Sequence, residues 1–205
     1  MTATQGGTAV KHSEMREFTR QAIMDAFWAL YRERPIERIS VREVCDRAGY
    51  NRSTFYEYFT DTYSVLESIE EELLDFARVK LMEELPETLA RNFPEVRLDE
   101  EALRPLAELY TEKGEYLSVL LGENGDPSFQ YKYKRAAKDI LLNMLDDPAK
   151  KFDVTASIVS EFTASAIIGA FNCWYPRRDE YPAEKYAALL ISLLSGGSIA
   201  AIRKL

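Results

Sequence analysis

The tightest local constraint in the chain lies between residues 40 and 59. Ser40-Val41-Arg42-Glu43 places a hydroxyl three positions before a carboxylate. This spacing makes a capping box, in which the Ser side chain bonds forward to the backbone and the Glu side chain reaches back. Val41, Val44, Cys45 and Ala48 follow at i, i+3, i+4 and i+7, one apolar stripe. Gly49 can take positive φ and ends the helix. Only Gly49-Tyr50-Asn51 is left for the turn before another short helix, capped by Asn51 or Ser53, with Phe55 and Phe59 facing inward. Two short helices around a three-residue, Gly-containing turn form a helix-turn-helix. The second helix of such a unit enters the major groove of DNA. Arg52, Thr54, Glu57 and in part Tyr56 and Tyr58 are left on its outer side, a polar and aromatic set suited to phosphates and base edges.

The rest of the chain reads as helix. Ala, Leu and Glu account for 67 of 205 residues and Gly plus Pro for only 17, so good helix formers dominate. A first helix is predicted over 13–32, with Ser13 as N-cap, the stripe Ile23, Ala26, Phe27, Leu30, Tyr31, and an end before Pro35. The N-terminal residues before it read as a loose tail that holds the single histidine, His12. A fourth helix is expected over 61–85, with Glu70-Glu71-Glu72 on a solvated face, and a loop-rich passage between Pro86 and Pro94. Further helices are expected at 99–112, 115–122, 127–146, 153–175 and 182–204, with a turn at 122–127. The fold class is all-α: a three-helix domain over 11–62 that holds the helix-turn-helix, followed by a larger helical domain over 63–205.

Charge supports that division. The net charge of −8 is wrong for a nucleic-acid binder until it is split. Residues 1–62 carry nine cations, eight of them Arg, against nine acids, so the whole acidic excess lies beyond residue 62. Arg is the better fork for phosphates and base edges. The N-terminal run MTATQGGTAV lacks the basic start and apolar stretch of a signal peptide, and Cys45 and Cys173 lack metal-ligand spacing, so a reducing, cytoplasmic setting is expected. The uncharged run 186–202 contains Ser192, Ser195, Gly196, Gly197 and Ser198 and is read as a buried helix rather than a membrane span. One histidine in a tail cannot build a catalytic triad, and no phosphate loop or zinc-helix motif is present. No catalytic residue, metal site or cofactor is expected.

The two last helices carry small residues every four positions: Ser165, Gly169, Cys173, and Ala188, Ser192, Gly196, Ala200. Such rows let a second helix approach closely, and two of them on nearly uncharged helices point to a homodimer interface. Tyr110, Tyr116, Phe129, Tyr131, Tyr133, Phe162, Phe171, Trp174 and Tyr175 enrich the same region in aromatics, most of them core and some able to line an apolar pocket.

The run ISVREVCDRAGYNRSTFYEYFTDTYSVL, residues 39–66, resembles the tetracycline-repressor (TetR) family of bacterial transcription regulators. An apolar-Ser-Val start, an Ala-Gly turn, a Ser-Thr-Phe-Tyr third helix and a Phe followed by a Leu carry the likeness, with a weaker one over 112–131. The resemblance implies an all-helical homodimer whose small-molecule effector releases it from double-stranded operator DNA. It implies DNA-facing roles for Arg42, Asn51, Arg52, Ser53, Thr54, Tyr56, Glu57 and Tyr58. Two positions depart from the pattern: Tyr58 stands where the family often has His, and Thr62 where it has a phosphate-binding Lys. Thr62→Lys is therefore expected to add a backbone contact. The alternative is a helical dimeric scaffold or small-molecule binder that does not engage DNA.

Overall fold

The computed structural model describes the backbone of residues 5–82, 100–122, 125–143 and 154–202, and the side-chain surroundings of 13–82, 103–122, 125–140 and 154–194. Eight α-helices are present among them: α1 (Gln5–Tyr31), α2 (Val41–Ala48), α3 (Arg52–Tyr56), α4 (Thr62–Met82), α5 (Glu100–Leu120), α6 (Pro127–Asn143), α7 (Val154–Trp174) and α8 (Ala183–Ile202). No strand occurs among the described residues. The passage holding Pro86 and Pro94, residues 83–85, 144–146 and 203–204, the side chains of His12 and Ala200 and the surroundings of Gly196 lie outside what is described. The chain divides into two compact units, Met1–Glu72 and Leu73–Leu205.

In the first unit the apolar stripe of α1 forms the floor of the core. Ile23, Ala26, Phe27, Leu30 and Tyr31 are all buried, with Phe27 and Tyr31 stacked 5.6 Å apart. Ser13 is not a cap: the helix starts eight residues earlier, because nothing from Thr8 to His12 interrupts it. Val44 and Cys45 of α2, Phe55 and Phe59 around α3, and Val65, Leu66 and Ile69 of α4 complete the core. Burial pushes the Cys45 thiol pKa up, as expected of a core residue. Glu70 is also buried, at 1% exposure, and does not share the solvated face of Glu71 and Glu72. It lies four residues after Leu66 and three before Leu73, which puts it on the inward side of α4.

The second unit is built on rings. Tyr110 of α5 stacks on Phe171 of α7 at 5.5 Å and meets Tyr186 of α8 edge-on at 5.0 Å. Trp174 stacks on Tyr186 at 4.2 Å and donates its indole N–H to the Tyr181 carbonyl at 2.7 Å. The sequence suggests two helices over 99–112 and 115–122, but α5 runs unbroken from Glu100 to Leu120. Gly114 explains the difference. A Cβ at that position would lie 2.5 Å from the Tyr175 ring, so the glycine serves close approach of an aromatic rather than a turn. A mid-helix Gly costs about 1 kcal/mol relative to Ala, and here it leaves room for the Tyr175 ring.

The stretch Val154–Arg177 is long and apolar enough to cross a membrane by length and composition, and only 17% of its apolar window is buried. Among the described residues this helix presents apolar surface. Val154, Ile158, Val159 and Phe162 are between 57% and 73% exposed.

The α2 start yields a pH test. Ser40 donates through its hydroxyl (2.7 Å) and its backbone N–H (3.0 Å) to Glu43 Oε2, and Arg34 donates to Glu43 Oε1 at 2.8 Å. These bonds, the Ser40 hydroxyl foremost, lower the Glu43 pKa from 4.5 to about 2. A carboxylate depressed by folding stabilises fully above its unfolded pKa and loses that contribution as pH falls toward the folded value. Glu43→Gln should therefore lower the urea midpoint at pH 7 and differ less from the native chain at pH 3. A gap of equal size at both pH values would contradict it.

Candidate nucleic-acid interface

The interface is prepared by caps. Ser40 receives the Glu43 backbone N–H at 3.3 Å, and both halves of the capping box form. Gly49 sits at φ 76, and its N–H and that of Tyr50 both donate to the Cys45 carbonyl, at 2.9 and 3.1 Å. That double closure turns the chain within three residues. Asn51, not Ser53, is the N-cap of α3: its Oδ1 accepts from the Thr54 N–H at 2.8 Å and from the Ser53 hydroxyl at 2.6 Å.

α3 has only five residues, too few to persist alone in water. It is held from below. Phe55 is 0% and Phe59 4% exposed, with ring centroids 5.8 Å apart, and Tyr56 packs edge-on against Phe55 at 5.5 Å. The outward surface then follows from the pitch of the helix. Arg52, Ser53, Glu57 and Asn51 are exposed, Tyr56 is 58% exposed, and Thr54 and Tyr58 are half-buried. Arg42 is exposed on α2, with Asp46 at 3.6 Å, a loose pair between solvated partners. The side chains of Asn51 and Ser53 are thus engaged in capping α3, while Arg52 forms no ion pair among the described residues.

Two features of the structure are not legible in the sequence. Thr62 is buried at 7% exposure, so position 62 does not lie on the surface that the resemblance implied for it. A Lys there would have to thread its stem past packed neighbours before reaching a phosphate, and the expected simple gain does not follow. Arg16 of α1, in contrast, lies over the Tyr58 ring, its guanidinium carbon 5.9 Å from the centroid.

In the second unit, the residues of the small-residue stripe on α7 are at the surface: Ser165, Gly169 and Cys173 are exposed. Ala188 and Ser192 on α8 are half-buried. Of the aromatic set, Tyr110, Phe129, Tyr133, Phe171 and Trp174 are core, whereas Tyr131 and Phe162 are exposed. Tyr186 belongs to the buried cluster and was missing from that set, because it lies beyond the aromatic-rich stretch in sequence. Burial raises the pKa of Tyr110 and Tyr186, and of Tyr133 to about 12, so all three hydroxyls stay protonated at neutral pH. Among the described residues no group of three His, Cys, Asp or Glu is placed to hold a metal ion.

Comparison with known proteins fits this geometry. A family model described as "Bacterial regulatory proteins, tetR family" matches residues 23–69, and one described as "Transcriptional regulator C-terminal region" matches 100–196. No curated protein matches the chain in sequence. Among solved structures, a TetR transcriptional regulator from Streptococcus agalactiae is 19% identical, with a TM-score of 0.59, over 91% of this chain and 99% of its own. The dihydroxyacetone kinase operon activator DhaS is 22% identical, TM-score 0.56, over 91% and 97%. SmeT, the repressor of the Stenotrophomonas maltophilia multidrug efflux pump SmeDEF, in its triclosan complex is 18% identical, TM-score 0.63, over 86% and 89%. At these identities the solved structures speak for the fold alone, while the two family models together take in well over half of the residues. The chain belongs to the TetR family of DNA-binding transcriptional regulators.

Proposed function

We propose that the chain is a homodimeric, cytoplasmic repressor that acts by binding operator DNA rather than by catalysis and is released by a small-molecule effector. The observation that carries the DNA-reading part is α3 itself: a capped, core-anchored helix with unpaired Arg52 and exposed Tyr56 on its outer side. Arg42, Arg52, Thr54, Tyr56, Glu57 and Tyr58 would supply phosphate and base contacts, with Asn51 and Ser53 holding the helix start. The DNA-reading domain spans 11–62 and the effector and dimerisation domain 63–205 in this reading. Repression rather than activation follows the default of the family.

Dimerisation is supported by the exposed face of α7. Ile158, Phe162, Ser165, Gly169 and Cys173 recur at helical spacing on one side of the helix, all exposed. A monomer leaving Ile158 at 65% and Phe162 at 73% exposure would carry an apolar patch that water disfavours. A second copy covering that stripe, with Ala188, Ser192, Gly196 and Ala200 of α8 alongside, would remove it. The effector would bind in the second unit, where Tyr110, Tyr133 and Tyr186 bring three hydroxyls into an otherwise apolar cluster.

Three measurements test this reading. Gel shifts with genomic fragments should find a specific site, and a reporter behind that site should rise when the regulator is deleted. Absence of any retained fragment would favour the non-DNA-binding scaffold. Arg52→Ala should weaken specific binding by about 1–3 kcal/mol while changing stability by no more than about 0.5 kcal/mol. A sharp fall in melting temperature with affinity intact would mean that Arg52 is structural. Light scattering should give twice the chain mass at micromolar concentration. A Cβ at Gly169 meets nothing within 4 Å in one copy, so Gly169→Leu should leave the helical content unchanged and shift the protein toward monomer. A native monomer, or a chain that partitions into lipid vesicles through α7, would contradict the dimer.

A further inference from the structure

We infer that Arg16, held over the Tyr58 ring, is a second phosphate-binding arm of the DNA-reading surface, supplied by α1 from outside the helix-turn-helix. The inference rests on the DNA-binding reading above and extends it to a residue outside the motif that carries that reading.

The cations of α1 differ in what surrounds them. Arg20 is paired with Glu17 and with Glu72 of α4, so its charge is already met. Arg16 is exposed and makes no ion pair among the described residues. It lies over the face of Tyr58, at 5.9 Å. A guanidinium lying over a ring is held by the ring's negative face while its N–H groups, which lie in the guanidinium plane, remain available to a further acceptor. The platform is fixed in turn: the Tyr58 N–H donates to the Phe55 carbonyl at 3.0 Å, and the neighbouring Phe59 is in the core.

Place and chemistry then agree. Arg52 opens α3, and Tyr58 follows its last residue by two positions, so an unpaired guanidinium stands near each end of the reading helix. At the Tyr58 end Arg20 also lies near, over the neighbouring Phe59 ring at 5.9 Å, but its charge is met by Glu17 and Glu72, and position 62 holds a buried Thr, so among the described residues Arg16 is the cation left unpaired there. A planar fork on a fixed ring, with no acid to neutralise it, suits a phosphodiester oxygen. Such a contact sets affinity and register without reading sequence.

The test is the salt dependence of binding, with native chain, Arg16→Gln, Tyr58→Ala and Tyr58→Phe titrated onto a fragment retained by the native chain and onto random duplex of equal length. Arg16→Gln should weaken binding to both DNAs by the same factor and flatten the slope of log K against log salt by about 0.9 per occupied half-site. Tyr58→Phe, which loses the hydroxyl contact assigned to Tyr58 but keeps the ring, should lower affinity and keep the native slope, and Tyr58→Ala should flatten the slope to the same extent as Arg16→Gln. Combining Tyr58→Ala with Arg16→Gln should flatten it no further. Equal circular dichroism and melting temperature for Arg16→Gln establish that the fold is intact. A native chain that binds DNA, with an unchanged slope for Arg16→Gln, overturns this inference and leaves the DNA-binding reading standing. A native chain that binds neither DNA overturns both.

Discussion

The reading surface depends on the burial of two phenylalanines. A five-residue helix fixes too many backbone angles for the hydrogen bonds it gains, so α3 exists because Phe55 and Phe59 are anchored in the core. Each such side chain contributes about 1.5–3 kcal/mol when fully buried. Their insertion sets the rotation of α3, and the rotation decides that Arg52 and Tyr56 face outward. The caps on either side then fix where the helix begins: Gly49 turns the chain, and Asn51 satisfies the first free N–H groups. Removal of the anchors would leave the outward residues present but unplaced.

The parts of this that were legible in the sequence are those governed by local chemistry. The capping box, the Gly49 stop and the spacing of Phe55 and Phe59 are all written within twenty residues, and they specify α2, the turn and α3. Features set by contacts between distant segments were not legible. Gly114 has the composition of a break, and only the approach of Tyr175, sixty-one residues later, shows why α5 continues through it. Glu70 sits in a run of three acids, yet the helical phase puts it inward. Thr62 matches the place of a surface lysine in the family pattern, but here the first turn of α4 buries it. Arg16 carries no motif at all, and only the folded contact with Tyr58 singles it out.

The second unit has a different economy. Its interior is organised around rings contributed by α5, α7 and α8, with Tyr186 stacked on Trp174 and edge-on to Tyr110. Asn172 of α7 donates to the Leu121 carbonyl at 2.9 Å, just beyond the end of α5, and Lys134 and Lys138 of α6 flank Glu161 of α7 at 2.9 and 3.0 Å. Ser160, Ala164, Phe171 and Trp174 bury one side of α7, while the stripe of Ile158, Phe162, Ser165, Gly169 and Cys173 on the other side is exposed. A helix with one side tied into the core and an apolar outer stripe is suited to meeting its own copy. Two-fold pairing of this kind would give each dimer two copies of α3, as a symmetric operator requires.

The central claim is that α3 reads base sequence as one half of a symmetric pair. Selection of bound duplexes from a pool with a randomised central region tests it most directly, since it needs no knowledge of the natural operator. The account predicts enrichment of an inverted repeat whose half-sites are separated by about one helical turn or a multiple of it, about 34–36 Å per turn. Recovery of duplexes with no shared sequence, or of none above background, would contradict it.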